Sequence, residues 1–183
     1  CNYNNTTATI IKSSPAKADF TVSPEFDTVG TFITVNITSG YGNYTYQLEY
    51  PNGTLSPIQT SNTFTNLITG DYFVTIFDTL GNCTPTKIGP IYIINYPNFF
   101  TPNGDGYNET WNIFDLSHQS EAVIYIFDRF GKLLKQLSPA GPGWDGKFNG
   151  QDLPSTDYWF LVEYFPQNST EKQQFRAHFS LIR

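Results

Sequence analysis

Apolar and polar side chains alternate with period two along much of the chain, and Gly, Pro, Asn and Asp break the alternation at short intervals. TFITVNI (31–37) sets Phe32 and Thr34 on one face and Thr31, Ile33, Val35 and Ile37 on the other. YTYQLEY (44–50) sets Tyr44, Tyr46, Leu48 and Tyr50 against Thr45, Gln47 and Glu49, and YFVTIFD (72–78) puts Tyr72, Val74 and Ile76 on one face. Each reads as a strand with one buried side. FTNL (64–67) and KIGPIYII (87–94) read as further strands. SGYGN (39–43), PNG (51–53), ITGD (68–71) and LGNC (80–83) supply the turns. A turn about every ten residues is the spacing of a β-sandwich.

A second set of strands begins near Tyr96. AVIYIFD (122–128) and KLLKQL (132–137), joined by RFG, read as a hairpin. DYWFLVEYF (157–165) and QQFRAHFSLIR (173–183), joined by PQNSTEK, read as another. The pattern therefore predicts an all-β chain of two tandem β-sandwich domains, at 19–95 and 96–183. Residues 1–18 are expected to be a connector or the last strand of a preceding repeat. CNYNNTTATII and CTPTKIGPIYII both run from a Cys through Thr-bearing polar residues into an apolar strand, a weak internal echo.

Composition agrees with this class. Aromatic residues make up 17% and charged residues only 14%, a bias toward side chains that suit a pleated surface. No sustained helical period is present. The 183-residue chain carries a formal charge of −6 and no basic run, so no nucleic-acid partner is expected. No apolar stretch approaches the roughly 20 residues of a membrane helix, so no direct membrane insertion is expected. The chain begins at Cys1 and contains no Met, as expected of a processed or excised piece, and its make-up suits an extracellular protein. Cys1 and Cys83 either pair or are two unrelated thiols.

One stretch, FFTPNGDGYNETW (99–111), stands out for its chemistry. Its centre fits a calcium loop, with Asn103, Asp105, the Tyr107 carbonyl and Glu109 as ligands. The first carboxylate and the closing glutamate of such a loop are missing, whereas calcium wants six to eight oxygens. The alternative is a turn in which Gly104 and Gly106 take positive φ and Asn103 and Asp105 cap amides. Either no cofactor or calcium is therefore expected. No catalytic constellation is visible: His118 and His178 are the only histidines and neither stands beside a nucleophile motif, so the chain reads as a non-enzyme. Tyr41, Tyr44, Trp144 and Trp159 are candidate sugar-stacking aromatics.

Four ordered blocks carry a resemblance: FFTPNGDGYNETWNI (99–113), VIYIFDRFGKLL (123–134), GWDGKFNGQDLPSTDYWFLV (143–162) and FSLIR (179–183). Together they closely resemble the gliding-motility-associated C-terminal domain, the type B sorting domain of type IX secretion. The positions matching its signature are Pro102, Gly104, Gly106, Trp111, Asp128, Arg129, Gly131, Trp144, Asp145 and Gly146. Glu109 stands where that family usually has Asp, and Ser155-Thr156-Asp157 replaces a glycine-bearing turn. SGYGNYTYQLEYPNG (39–53) and FTNLITGDYFVTIFDTLGNC (64–83) resemble an Ig-like repeat of the surface adhesins of gliding bacteria, with Asn43 and Leu48 departing from its usual Pro and Trp.

The resemblance implies an Ig-like adhesin repeat followed by an Ig-like C-terminal sorting domain. It implies secretion across the outer membrane to the cell surface. It also implies recognition by the translocon and by outer-membrane β-barrel proteins of the PorV or PorP/SprF type. The last strand reads as an open edge on which a partner could add. Its residues Phe175, Arg176, His178, Phe179, Leu181, Ile182 and Arg183 are the expected partner contacts. An adhesin or carbohydrate-binding module, with the C-terminal domain as anchor, is the alternative.

Overall fold

A computed structural model describes residues 14–27, 30–80 and 83–183. Cys1 and the alternation from Thr7 to Ile11 lie outside the described residues. The chain divides into two compact units. Among the described residues the first comprises 14–22, 32–66, 71–80 and 83–91, and the second 23–27, 30–31, 67–70 and 92–183. The units thus interleave in sequence, because two short stretches of the N-terminal half cluster with the C-terminal half.

In the first unit, β1 (Lys17–Val22), β2 (Phe32–Ser39) and β4 (Thr63–Thr65) form one three-stranded sheet in the order β1-β2-β4. β3 (Tyr44–Glu49), β5 (Gly70–Asp78) and β6 (Thr86–Ile93) form a second, in the order β3-β5-β6. The buried positions follow the sequence alternation. Ile33 and Val35 of β2, Tyr46 and Leu48 of β3, and Tyr72, Val74 and Ile76 of β5 are buried. The antiparallel register Tyr46↔Ile76 and Leu48↔Val74 sets these side chains in neighbouring rows. Packing two such apolar faces removes each from water, which is the driving force for a sandwich. β1 begins at Lys17, just inside the stretch 1–18 expected as a connector.

The second unit is built on a five-stranded sheet. It contains β7 (Phe99–Phe100), β8 (Val123–Phe127), β9 (Leu133–Leu137), β12 (Thr156–Tyr164) and β13 (Gln173–Leu181), in the order β7-β13-β12-β8-β9. The long hairpin β12–β13 pairs antiparallel from Thr156↔Leu181 to Tyr164↔Gln173. The facing layer is made of shorter pieces: a 3₁₀ turn (Phe114–Leu116), the small hairpin of β10 (Lys147–Phe148) and β11 (Gln151–Asp152), and a bridge between Trp111 and Trp144. Between the layers lie Trp111, Ile113, Leu116, Ile124, Ile126, Trp144, Tyr158, Phe160, Val162 and Phe179. Phe26, from the N-terminal half, joins this core and stacks on Phe175 at 4.3 Å.

The expectation that the last strand is an open edge needs correction at its C-terminal end. β7 pairs there in parallel, Ser180 with Phe99 and Leu181 with Phe100. The Ser180 amide donates to the Asn98 carbonyl and the Ile182 amide to the Phe100 carbonyl. β13 and β12 are inner strands of the sheet, and the far edge is β9. A two-residue parallel pairing across some eighty intervening residues leaves no mark in local alternation, so the sequence pattern does not reveal it.

Candidate functional site

The four sequence blocks fold into turns and anchors around the second unit's core. In the first block the Asp105 and Tyr107 amides donate to Asn103 Oδ1 and Asp105 Oδ1, and the Gly106 amide to Glu109 Oε1. Asn103 Nδ2 donates to the second Asp105 oxygen at 3.0 Å. Gly104 and Gly106 take φ of 82° and 88°, conformations that L side chains resist. The Tyr107 amide, followed by the Asn103 side chain, holds the Asp105 carboxyl below its usual range. The two carboxylates are thus directed at the loop's own donors. Among the described residues no group of three or more His, Cys, Asp or Glu comes close enough to hold a metal ion. Of the six to eight oxygens a calcium shell takes, the loop's own carboxylates already spend one oxygen or more each on backbone amides.

The aromatic end of the block is an anchor. Trp111 is fully buried, its indole N–H donates to the Pro97 carbonyl at 2.7 Å, and its ring stacks on Phe179 at 3.9 Å. Trp111 and Trp144 exchange backbone hydrogen bonds, both 2.9 Å, which ties the first block to the third. Trp144 is buried and its indole donates to the Lys147 carbonyl. This burial removes Trp144 from the candidate sugar-stacking residues. The Lys147 amide donates to Asp145 Oδ1. Gly146 takes a φ of 76° with the Leu181 side chain and the Phe100 ring packed where a Cβ would lie. In the second block Asp128 Oδ1 accepts the Phe130 and Lys132 amides, both at 2.9 Å, and Gly131 closes the turn at a φ of 80°. Arg129 lies over the Phe130 ring. Pro102 is half-buried at the first block's start. The signature residues therefore act mainly through turns and core contacts.

The residues expected to contact a partner split between the two faces of β13. Phe179 and Leu181 are buried in the core, which corrects their assignment as surface contacts. Phe175 is half-buried against Phe26. Arg183 is tethered: its guanidinium donates to the Leu153 and Gly146 carbonyls and pairs with Asp152 at 3.3 Å. Arg176, His178 and Ile182 are exposed. The physical reason is the period of two, since alternate residues of one strand must point to opposite faces.

Sequence reasoning missed two features. Asn112 is fully buried, and its Nδ2 donates to the carbonyls of Ser138, Pro139 and Gly141 at 3.1–3.2 Å, while its Oδ1 accepts the Ile113 amide. No local pattern marks that role. The other is the outer face of the five-stranded sheet. Register places His178, Trp159, Phe127 and Leu133 in one row and Arg176, Leu161, Tyr125 and Gln136 in the next. Trp159 is 48% exposed and Leu133 equally so. A signal was available: VIYIF and WFLV are apolar in both phases, so one apolar set had to lie outside the core.

The second unit is a small β-sandwich domain held together by these blocks. Residues 94–179 match the CHU_C type IX secretion signal domain family. Such a domain is an export signal, and it implies passage across the outer membrane to the cell surface. No curated protein matches the chain. Two solved structures resemble it in trace only. One is a BSP domain of a biofilm-associated protein, with a TM-score of 0.27 and 12% identity over 92% of this chain. The other is a tetra-tandem repeat in the extending region of a large adhesion protein, with a TM-score of 0.23 and 16% identity over 91%. The chain spans 29% and 50% of those structures, respectively. Among the described residues no helix is long and apolar enough to cross a membrane.

Proposed function

We propose that this chain is the export and surface-display end of a large secreted surface protein, with an adhesin-type repeat preceding the sorting domain. The translocon of type IX secretion reads the domain, together with outer-membrane β-barrel proteins of the PorV or PorP/SprF type. The module acts by binding, without catalysis and without a cofactor. The single observation that carries the reading is the family match over 94–179. The domain's build supports it, since a sandwich held by its own turns and aromatic core needs no ligand to present a surface.

The test is a reporter protein fused ahead of residues 1–183 and expressed in a type IX-secreting bacterium. The expected result is a reporter that external protease can reach, and one that stays inside when 94–183 are removed or the translocon is disabled. Equal display with and without 94–183 would refute the reading. Deleting only 157–183 is a poorer test, because β12 and β13 are inner strands whose loss removes the fold itself.

A further inference from the structure

We propose that the outer face of the five-stranded sheet, centred on Trp159 and Arg176, is the surface by which this domain docks on a protein whose contact face sets apolar side chains among carboxylates. The inference rests on the export reading and names the surface that would serve it.

Three observations converge on that face. First, it is apolar where a solvated sheet face would be polar. Trp159, Phe127, Leu161, Tyr125 and Leu133 occupy adjacent positions across β12, β8 and β9. An antiparallel sheet with one face on the core normally turns polar residues outward. Clustered exposed apolar side chains mark binding surfaces more often than isolated ones do.

Second, the face is concave and cationic at its rim. Phe127, Trp159 and Leu161 line a groove of about 420 Å³, with Asp128 and Arg129 on one side and Arg176 on the other, so its rim carries two cations against one carboxylate. The chain as a whole carries −6, with only 10 Lys and Arg, so two arginines at one groove run against the general charge.

Third, those cations are not committed to ion pairs, while one oxygen of each nearby acid is committed to a neutral donor. Among the described residues neither Arg176 nor Arg129 makes an ion pair, and Arg129 lies over the Phe130 ring. Asp128 Oδ1 accepts two backbone amides. Asp157 Oδ1 accepts the Ser180 hydroxyl at 2.6 Å, and Glu163 Oε1 accepts Gln174 Nε2 at 2.8 Å. Neither arginine is held by an ion pair of its own among the described residues, so each is free to turn toward an incoming carboxylate. A partner carboxylate on Arg176 or Arg129 would be a charge-assisted contact, and a bidentate one fixes orientation as well.

The same residues favour a protein over a saccharide. Trp, Tyr and Arg at the centre of a patch are the side chains that dominate protein interfaces. A sugar ring would stack on Trp159, but Phe127, Leu161 and Leu133 around it offer no hydrogen bonds, so its hydroxyls would depend on the rim residues alone.

The experiment places Trp159→Ala, Arg176→Glu and Arg176→Lys in the reporter fusion of the full chain, with Phe114→Ser as an exposed apolar control off the face. Thermal unfolding by circular dichroism confirms that each variant keeps the fold. In parallel a photo-crosslinking aromatic residue replaces Trp159. The expected result is surface display reduced about tenfold or more by Trp159→Ala and Arg176→Glu, near-normal display of Arg176→Lys and Phe114→Ser, and a discrete protein adduct in the outer-membrane fraction. Wild-type display by folded Trp159→Ala and Arg176→Glu overturns the inference and leaves the export reading standing. A polydisperse glycan adduct in place of a protein one also overturns it. A wild-type fusion that never reaches the surface refutes the export reading and takes this inference with it.

Discussion

Replacing Asn112 by Ala removes one carboxamide, leaves the Pro139 and Gly141 carbonyls without that donor, and takes from the Ser138 carbonyl one of its two donors, the other being the Gly141 amide. The Ile113 amide loses its acceptor as well. A buried polar group left unpaired costs about 1–3 kcal/mol, but the exposed parts of the 138–141 turn can swing toward water and recover some of it. A net loss of about 3 kcal/mol follows. For a domain of this size each kcal/mol lowers the midpoint by about 4–8 °C, so a drop of roughly 12–24 °C is expected. The assay is intrinsic tryptophan fluorescence during heating. All three tryptophans, Trp111, Trp144 and Trp159, belong to the second unit, so the signal reports that unit alone. Asn112→Asp sharpens the test. It keeps an acceptor for the Ile113 amide but aims a carboxylate oxygen at three carbonyls, so it should be worse than Ala at neutral pH. Its folded-state pKa would be raised, so its deficit should shrink as the pH falls toward that of an ordinary aspartate. An Asn112→Ala loss below about 1 kcal/mol would refute the idea that this amide holds the turn.

Gly131→Ala meets open space at positive φ and should cost about 1–2 kcal/mol, whereas Gly146→Ala also collides with Leu181 and should cost clearly more; denaturant midpoints at unchanged slope decide the order. Burial first, and then the Glu25 carboxylate, pushes the Tyr164 phenol up to about 12. A phenol raised in the folded state contributes stability that is full below about pH 10 and is lost as the pH rises through its folded value. Absorbance at 295 nm should therefore show a late ionisation step that Tyr164→Phe removes, and a titration complete by pH 10.5 would contradict this. The Asp105 carboxyl, held low chiefly by the Tyr107 amide, contributes above the ordinary carboxylate range and loses its contribution as the pH falls through its lowered value. The Tyr107 amide resonance should follow that acid step, and Asp105→Asn should abolish it. Because the same oxygens are turned inward, neither added calcium nor a chelator should move the fluorescence midpoint, and a calcium-dependent rise would contradict the self-capped loop.

The residues alone determined the elements. Period-two alternation located β2, β3, β5, β8, β12 and β13 to within a residue or two, because a strand's side chains must alternate and a buried face must be apolar. Turn chemistry placed the breaks, and Gly104, Gly106, Gly131 and Gly146 do take the positive φ that motivates glycine there. The four blocks were readable as a signature for the same reason: each is a turn or anchor with few chemical solutions. Tertiary structure decided the rest. QFRAHFSLI sets Phe175, Ala177, Phe179 and Leu181 in one phase, so alternation groups Phe179 with Leu181, and the contacts of Phe179 with Trp111, Trp144 and Phe100 make that phase the inner one. Phe26 lies far from Phe175 in sequence, yet the two rings stack, and no local pattern announces such a contact. The pairing of Phe99–Phe100 with the end of β13, the three carbonyls gathered by Asn112, and the cation-edged outer face around Trp159 have the same origin. Alternation is a local property of the backbone, whereas the choice of neighbour strand and of inward face is made by non-local contacts that exist only once the sheet has closed.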